Sequence, residues 1–157
     1  EHKEIEDKKC VVKYVHSQFR KLSKISIFVK EMIDNGIVNE NDDLVFIVND
    51  KINNIETFYA LFDQLYISDK VFVQLFDMNK LLINITKHEL VPSMRIVSEE
   101  EKLAVKEKYN VESMSNFPLI LSYDPVAQFY GVKKGDLCEI IRKSETSGEY
   151  KAYRYCQ

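Results

Sequence analysis

Ser122-Tyr-Asp-Pro-Val-Ala-Gln-Phe-Tyr-Gly-Val-Lys-Lys-Gly-Asp-Leu-Cys-Glu-Ile-Ile-Arg-Lys-Ser-Glu-Thr-Ser-Gly-Glu-Tyr-Lys-Ala-Tyr-Arg-Tyr-Cys-Gln157 specifies a short helix and a hairpin with nearly every start and stop signal in place. Asp124 before Pro125 predicts a helix start. An Asp side chain accepts from a free first-turn amide, and proline's fixed φ and missing N–H suit the first helical position. Val126, Phe129 and Tyr130 supply an apolar face, and Gly131 can take the left-handed conformation that closes the helix. Gly135-Asp136 turns the chain into a strand from Leu137 to Arg142, and Ser144 to Gly148 holds small, polar turn formers. Tyr150, Lys151, Ala152, Tyr153, Arg154 and Tyr155 then form a β-prone, aromatic-rich strand. That strand runs almost to Gln157, so the terminus is expected to be built into a core or an interface.

Working upstream, Ser98-x-x-Glu101 is a capping box opening a helix that carries Val105 and Tyr109, and Met94-Arg95-Ile96 reads as a short strand. Thr86 to His88 is the expected boundary between two halves. In the first half, Val11 to Val15 is β-prone. Leu22, Ile25, Val29, Met32 and Ile33 share one helical stripe between Arg20 and Asn35, stopped by Asn35-Gly36. Leu44 to Val48 is a continuous apolar run, as in a strand covered on both faces. Ile52, Ile55, Tyr59, Phe62 and Leu65 recur at helical spacing, followed by strand-like Val71 to Phe76 and Leu81 to Ile85. The order β-α-β-α-β-β argues for an α/β layer with a largely parallel sheet.

The chain's 157 residues are 45% hydrophobic and 30% charged, an ordinary globular composition with a net charge of −3. There are 12 Lys/Arg against 14 Asp/Glu before His88, and 10 against 11 from His88 onward. A free-standing nucleic-acid binder would carry a basic excess, because phosphate neutralisation dominates such affinity. Any DNA contact is therefore expected to be local and supported by partners. Cys10, Cys138 and Cys156 are odd in number and lack CxxC spacing, which favours free thiols in a reducing, intracellular compartment. Cys138, in a strand, reads as packing. No apolar run approaches a membrane span, and Glu1 to Lys9 has no signal-peptide pattern.

Catalytic chemistry finds little support. His2, His16 and His88 are scattered, with no spacing for a metal or a nucleophile relay. Glu99-Glu100-Glu101 matches the dipole of the helix it opens. Gly131-x-x-x-Gly135 lies between a helix and a strand and is turn chemistry, not a nucleotide loop. Glu6-Asp7-Lys8 and Asp50-Lys51 are the only carboxylate-lysine groups that would suit a metal-dependent nuclease, and each sits among other surface charges. No catalytic, cofactor or metal residue is assigned. The remaining cluster is Lys133, Lys134, Arg142, Lys143, Lys151 and Arg154, interleaved with Tyr130, Tyr150, Tyr153 and Tyr155. It reads equally as a binding surface for protein or nucleic acid, or as a solvated sheet face over a Tyr-rich core.

His88-Glu89-Leu90-Val91-Pro92, Ser98-Glu99-Glu100-Glu101, Lys108-Tyr109, Asp124-Pro125-Val126-Ala127, Gly131-Val132-Lys133-Lys134-Gly135, Ile140-Ile141-Arg142, Ser144-Glu145-Thr146-Ser147-Gly148 and Tyr153-Arg154 form a longer pattern. Order and spacing resemble the C-terminal domain of the small shared subunit of multisubunit RNA polymerases. That is the fifth-largest subunit of the eukaryotic nuclear enzymes, which has a shorter archaeal counterpart. Leu81-Leu82-Ile83-Asn84-Ile85-Thr86 leading into His88 is similar to the eukaryotic version, which has an additional N-terminal domain.

The resemblance implies a two-part fold. Residues 1–87 would be a partial α/β jaw domain, three-layer-like with a mostly parallel sheet. Residues 88–157 would be a small α+β assembly domain with a mixed sheet and two helices. It also implies a non-catalytic subunit of a DNA-directed RNA polymerase, docked on the largest subunit and beside other subunits. The jaw would lie near downstream duplex DNA, with weak or indirect contact. Nucleotidyl transfer and its magnesium would belong to the two large subunits, with no cofactor, membrane or small-molecule substrate for this chain. The expected docking residues are His88, Pro92, Asp124, Pro125, Arg142, Thr146, Tyr153 and Arg154.

The chain departs from the family where Ile52-Asn53-Asn54-Ile55 stands in place of a Thr-Pro-Ser-Ala segment, and at Cys138, Glu139 and Cys156. It lacks an initiator Met and the first half of the eukaryotic N-terminal domain, which reads as a truncated chain. Abundant Lys, Asn, Ile, Tyr and Phe with scarce Ala suggest an AT-rich genome, of a large DNA virus of eukaryotes or of a protist. The expected location is the nucleus for a cellular protein, and the virion or the host-cell replication site for a viral one. A free-standing adaptor with the same fold is the alternative reading, ahead of a nuclease.

Overall fold

The structure, a computed structural model, describes residues 9–15, 22–49, 53–144 and 148–157. The chain divides into two compact units, Glu1–Ile83 and Asn84–Gln157, so the division falls just upstream of His88.

In the first unit, strand β1 (Cys10–Val15), helix α1 (Leu22–Asp34), strand β2 (Asp43–Val48), helix α2 (Ile55–Asp69) and strand β3 (Phe72–Asp77) alternate. The sheet is parallel throughout, in the order β1-β2-β3. Helix α1 buries Ile25, Val29 and Met32 along one stripe. It closes where the Gly36 N–H donates to the Ile33 carbonyl and the Ile37 N–H to the Met32 carbonyl, with Gly36 at φ +68°. That is the paired pattern of a left-handed helix stop, at the Asn35-Gly36 step read from the sequence. Helix α2 buries Phe58, Tyr59, Phe62 and Leu65, and Ile52, expected to begin its stripe, lies outside the described residues.

Two crossovers in the same direction across a parallel sheet are both right-handed, which places both helices on one face. On that face Leu44, Phe46, Val73 and Leu75 are buried. The Phe28 ring of α1 meets Phe46 at 6.1 Å, and the Leu75 N–H donates to the Tyr59 hydroxyl of α2 at 3.4 Å. Among the described residues this is a two-layer arrangement, where three layers were expected. The opposite face carries Val45 and Ile47 beside Val12 and Tyr14, and Tyr14 is 67% exposed. The apolar run of β2 therefore does not have both faces covered to the same extent.

The expected strand from Leu81 to Ile85 is absent. Asp77 instead accepts from the Asn79 N–H at 2.9 Å and starts helix α3 (Met78–Leu81). Asn84 accepts from the Thr86 N–H at 3.0 Å and starts a 3-10 turn, Ile85–Lys87. The two caps satisfy backbone donors locally, so the segment needs no sheet partner, and Leu82 stands 78% exposed.

The second unit holds strand β4 (Ser93–Ile96), helix α4 (Glu99–Lys108), strand β5 (Leu119–Ile120), helix α5 (Pro125–Phe129), strand β6 (Leu137–Ser144) and strand β7 (Gly148–Cys156). The sheet order is β4-β6-β7-β5. Strands β4, β6 and β7 pair antiparallel, and β5 adds parallel to β7, which makes the sheet mixed, as the resemblance implies. Strand β5, at two residues, is too short to show a periodic signal in the sequence.

Helix α4 has the full capping box: Ser98 Oγ accepts from the Glu101 N–H, and the Glu101 carboxylate accepts from the Ser98 N–H. Helix α5 is capped as its sequence predicts, with Asp124 Oδ1 accepting from the Val126 N–H at 2.9 Å and Pro125 in the first turn. It ends where the Val132 N–H donates to the Ala127 carbonyl and Gly131 takes φ +65°.

Alternation along the strands builds one core on each side of the sheet. On the α5 side are Met94, Ile120, Ala127, Val132, Cys138, Ile140 and Cys156. On the α4 side are Val97, Val105, Phe117 and Leu137, with Tyr153 and Tyr155 packed against them. Cys138 is fully buried, as expected, and burial pushes its thiol up to about 12, with the Asp136 charge adding to the shift. The chain's last residue is tied down by the Gln157 N–H donating to the Ile120 carbonyl.

Candidate docking interface

The β6–β7 hairpin presents two unlike faces. Positions 137, 139, 141 and 143 of β6 and 149, 151, 153 and 155 of β7 point to the α4 side, and the alternate positions to the α5 side.

On the α4 side the register sets Arg95, Glu139 and Tyr153 in one row across three strands. Glu139 is only 3% exposed. Its carboxylate accepts from Arg95 Nε at 2.9 Å, Lys151 Nζ at 3.2 Å and the Tyr153 hydroxyl at 2.9 Å. Arg95 also forks onto Glu101, at 2.7 and 3.2 Å, linking β4 to the first turn of α4. Burial by itself raises the Glu139 carboxyl, but the hydrogen bonds from Arg95, Tyr153 and Lys151 outweigh it and hold the group down at about 2. Burial, and then the bond to Glu139, pushes Tyr153 up to about 12. The Tyr153 ring meets Tyr109 at 5.5 Å and Phe117 at 6.3 Å. This side is a closed network of charge and aromatic packing.

On the α5 side the hairpin carries Cys138, Ile140, Arg142, Tyr150, Ala152, Arg154 and Cys156: two cations and no carboxylate. Arg154 Nη1 donates to the Leu119 carbonyl at 3.0 Å and ties β7 to β5. Among the described residues, Arg142 Nε is buried without a hydrogen-bond partner.

The residues expected at the interface distribute over this framework. Arg142 and Arg154 lie on the α5 side. Asp124 and Pro125 start α5 itself, and the 3-10 turn that leads into His88 lies against α5. His88 is exposed in a turn, its N–H donating to the Ile85 carbonyl and its Nδ1 accepting from the Leu90 N–H at 3.2 Å. Pro92 is half-buried and leads into β4. Tyr153 lies on the other side of the sheet, inside the Glu139 network, and Thr146 falls outside the described residues.

Glu139, Arg95, Lys151 and Glu101 do not stand out as a cluster in the sequence. The cue was a Glu between Cys138 and Ile140, with the basic Lys151 in the strand that follows. Among the described residues no group of three His, Cys, Asp or Glu side chains is arranged to hold a metal ion, and Glu6-Asp7-Lys8 and Asp50-Lys51 lie outside those residues.

Residues 83–156 match the family described as RNA polymerase Rpb5, C-terminal domain. The match takes in just under half of the chain. Over 87 residues the chain is 41% identical to the DNA-directed RNA polymerases I, II, and III subunit rpabc1 of Dictyostelium discoideum. That match covers 55% of this chain and 44% of the relative. Over 75 residues it is 43% identical to the corresponding subunit RPABC1 of Caenorhabditis briggsae, covering 48% of this chain and 35% of that one. The matched stretches thus span less than half of these curated relatives. The Rpb5 match takes in every element of the second unit, and with them both faces of its sheet.

Proposed function

We propose that the chain is a non-catalytic subunit of a DNA-directed RNA polymerase. The observation that carries this reading is the Rpb5 C-terminal domain at residues 83–156, together with relatives named as polymerase subunits at 41% and 43% identity. The second unit acts as the assembly domain and docks on the largest subunit through the α5 side of its sheet. His88, Pro92, Asp124, Pro125, Arg142, Thr146 and Arg154 are the proposed docking set. Tyr153 contributes from behind by holding the hairpin rigid. The first unit acts as a partial jaw near downstream duplex DNA, with weak contact, since the net charge of −3 offers no phosphate-binding excess. Nucleotidyl transfer belongs to the two large subunits. The protein works inside the cell, in the nucleus; both named relatives come from cellular eukaryotes and neither supports a viral source.

An affinity-tagged chain expressed in its native source is expected to recover the two largest polymerase subunits. Failure to recover them from a lysate in which the chain is folded would overturn the reading.

A further inference from the structure

The cations packed against the second unit's sheet differ in how they are matched. Arg95 has Glu101 and Glu139, Lys151 has Glu139, and buried Lys102 has Glu99 and Asp136. Arg154, though without an acid, donates to a backbone carbonyl. Arg142 is half-buried, its Nε is shielded from solvent, and among the described residues that atom has no acceptor.

A guanidinium nitrogen withdrawn from water without a partner is costly to the isolated protein. Its surroundings have the composition of a docking site. Directly across the strand pair stands Tyr150, 42% exposed, with a hydroxyl free to donate. The next row is Met94, Ile140 and Ala152, of which Met94 and Ile140 are already buried in the α5-side core. The row beyond holds Arg154.

We infer that the α5-side face of the β6–β7 hairpin, at Arg142 and Tyr150, is the seat for a carboxylate side chain of a partner polymerase subunit. The planar guanidinium fork matches a carboxylate two bonds at a time, and Tyr150 adds a third donor. Charge complementarity favours an acid, because this face of the hairpin carries two cations and no carboxylate of its own. It favours protein over nucleic acid for two reasons. A phosphate track needs several cations in line, whereas Arg154 is already engaged, and the residues from His88 onward carry 10 basic against 11 acidic side chains. This inference rests on the polymerase-subunit reading and adds to it the chemistry of the partner group.

The test uses the full chain, tagged, competing with untagged wild type for incorporation into polymerase in its native source. Arg142→Met keeps the length and loses the fork; Arg142→Lys keeps the charge and loses the fork. Both are expected to melt within about 2 °C of wild type, because no internal bond is removed. Arg142→Met is expected to be incorporated about tenfold less well, with Arg142→Lys between the two. A photoreactive side chain at position 150 is expected to crosslink to a polymerase peptide containing Asp or Glu.

Wild type that recovers no polymerase overturns the parent reading and this inference with it. Wild type that assembles while Arg142→Met competes equally overturns the inference alone. So does a large fall in melting temperature, which would reveal an internal partner for Arg142. Crosslinking to nucleic acid, or a loss of DNA affinity in fully assembled polymerase, would assign the site to a phosphate and overturn the carboxylate.

Discussion

On the α4 side of the C-terminal sheet, Arg95 and Lys151 converge on a single buried carboxylate, Glu139, with Tyr153 as a third donor. On the α5 side of the same two strands, Arg142 has a buried Nε for which the described residues hold no acceptor. Both faces use the same hairpin and each packs against one helix, so neither strand pairing nor composition explains the difference. What separates them is where the acids are: Glu139 and Glu149 fall on the α4 side by strand alternation, and none falls on the other. A face whose polar groups are mutually satisfied stabilises the unit that owns it. Under the proposed docking, Arg142 would gain its bonds only on association, so the unit would be held together from one side and offered to a partner from the other.

The sharpest way to break this comparison is to remove Glu139. Glu139→Ala strands Arg95, Lys151 and Tyr153 together. It is expected to cost roughly 2 kcal/mol, less than a fully buried pair because both cations are about half exposed. For a unit of this size the melting transition should fall by about 10 °C. An unchanged melt would mean that the network is ornamental and the two faces are alike.

The same carboxylate predicts a pH dependence. Its pKa is lowered from the usual 4.5 to about 2, so the folded form binds a proton less readily than the unfolded chain. The stabilisation is fully present above the unfolded value and is lost as pH falls from about 4.5 through about 2. Acid titration of the melting temperature should show this limb in wild type, and Glu139→Gln should flatten it.

A smaller effect is expected from the α5 side. Asp124→Ala removes the acceptor for the Val126 and Ala127 N–H groups and should cost about 1 kcal/mol, read from denaturant midpoints. The smallest effect on stability belongs to the double variant Arg142→Glu with Arg154→Glu, which loses one exposed bond to the Leu119 carbonyl and should shift the unfolding midpoint by under about 1 kcal/mol. Its incorporation into polymerase should nevertheless fall. A double variant that assembles normally would place the docking face elsewhere.

Those predictions rest on features of unequal legibility. The capping box at Ser98 and Glu101, the Asp124-Pro125 start and the glycine stops at Gly36 and Gly131 could all be read from a few adjacent residues, since each depends only on backbone donors one turn away. The Glu139 network could not, because Arg95 and Glu139 are separated by 44 residues and meet only through the β4–β6 register. The Leu81 to Ile85 stretch departs from its strand signal for the converse reason. Its β-prone side chains suggest a strand, but Asp77 and Asn84 offer local caps and no strand edge accepts the segment. The side of the sheet on which each proposed docking residue lies was not legible in the sequence: Tyr153 and Arg154, adjacent in the chain, point opposite ways.

The sequence by itself determined most of the longer elements of each unit, their order, several of their ends and the Rpb5-type pattern from His88 to Arg154, because periodicity and capping are properties of short stretches of chain. Only the tertiary structure decided that α1 and α2 share one face of the parallel sheet, that two-residue β5 closes the mixed sheet beside β7, and that Arg142 is left without the carboxylate that Arg95 and Lys151 share. Each of those outcomes depends on register and crossover direction between segments far apart in the chain, and no single segment encodes its partner.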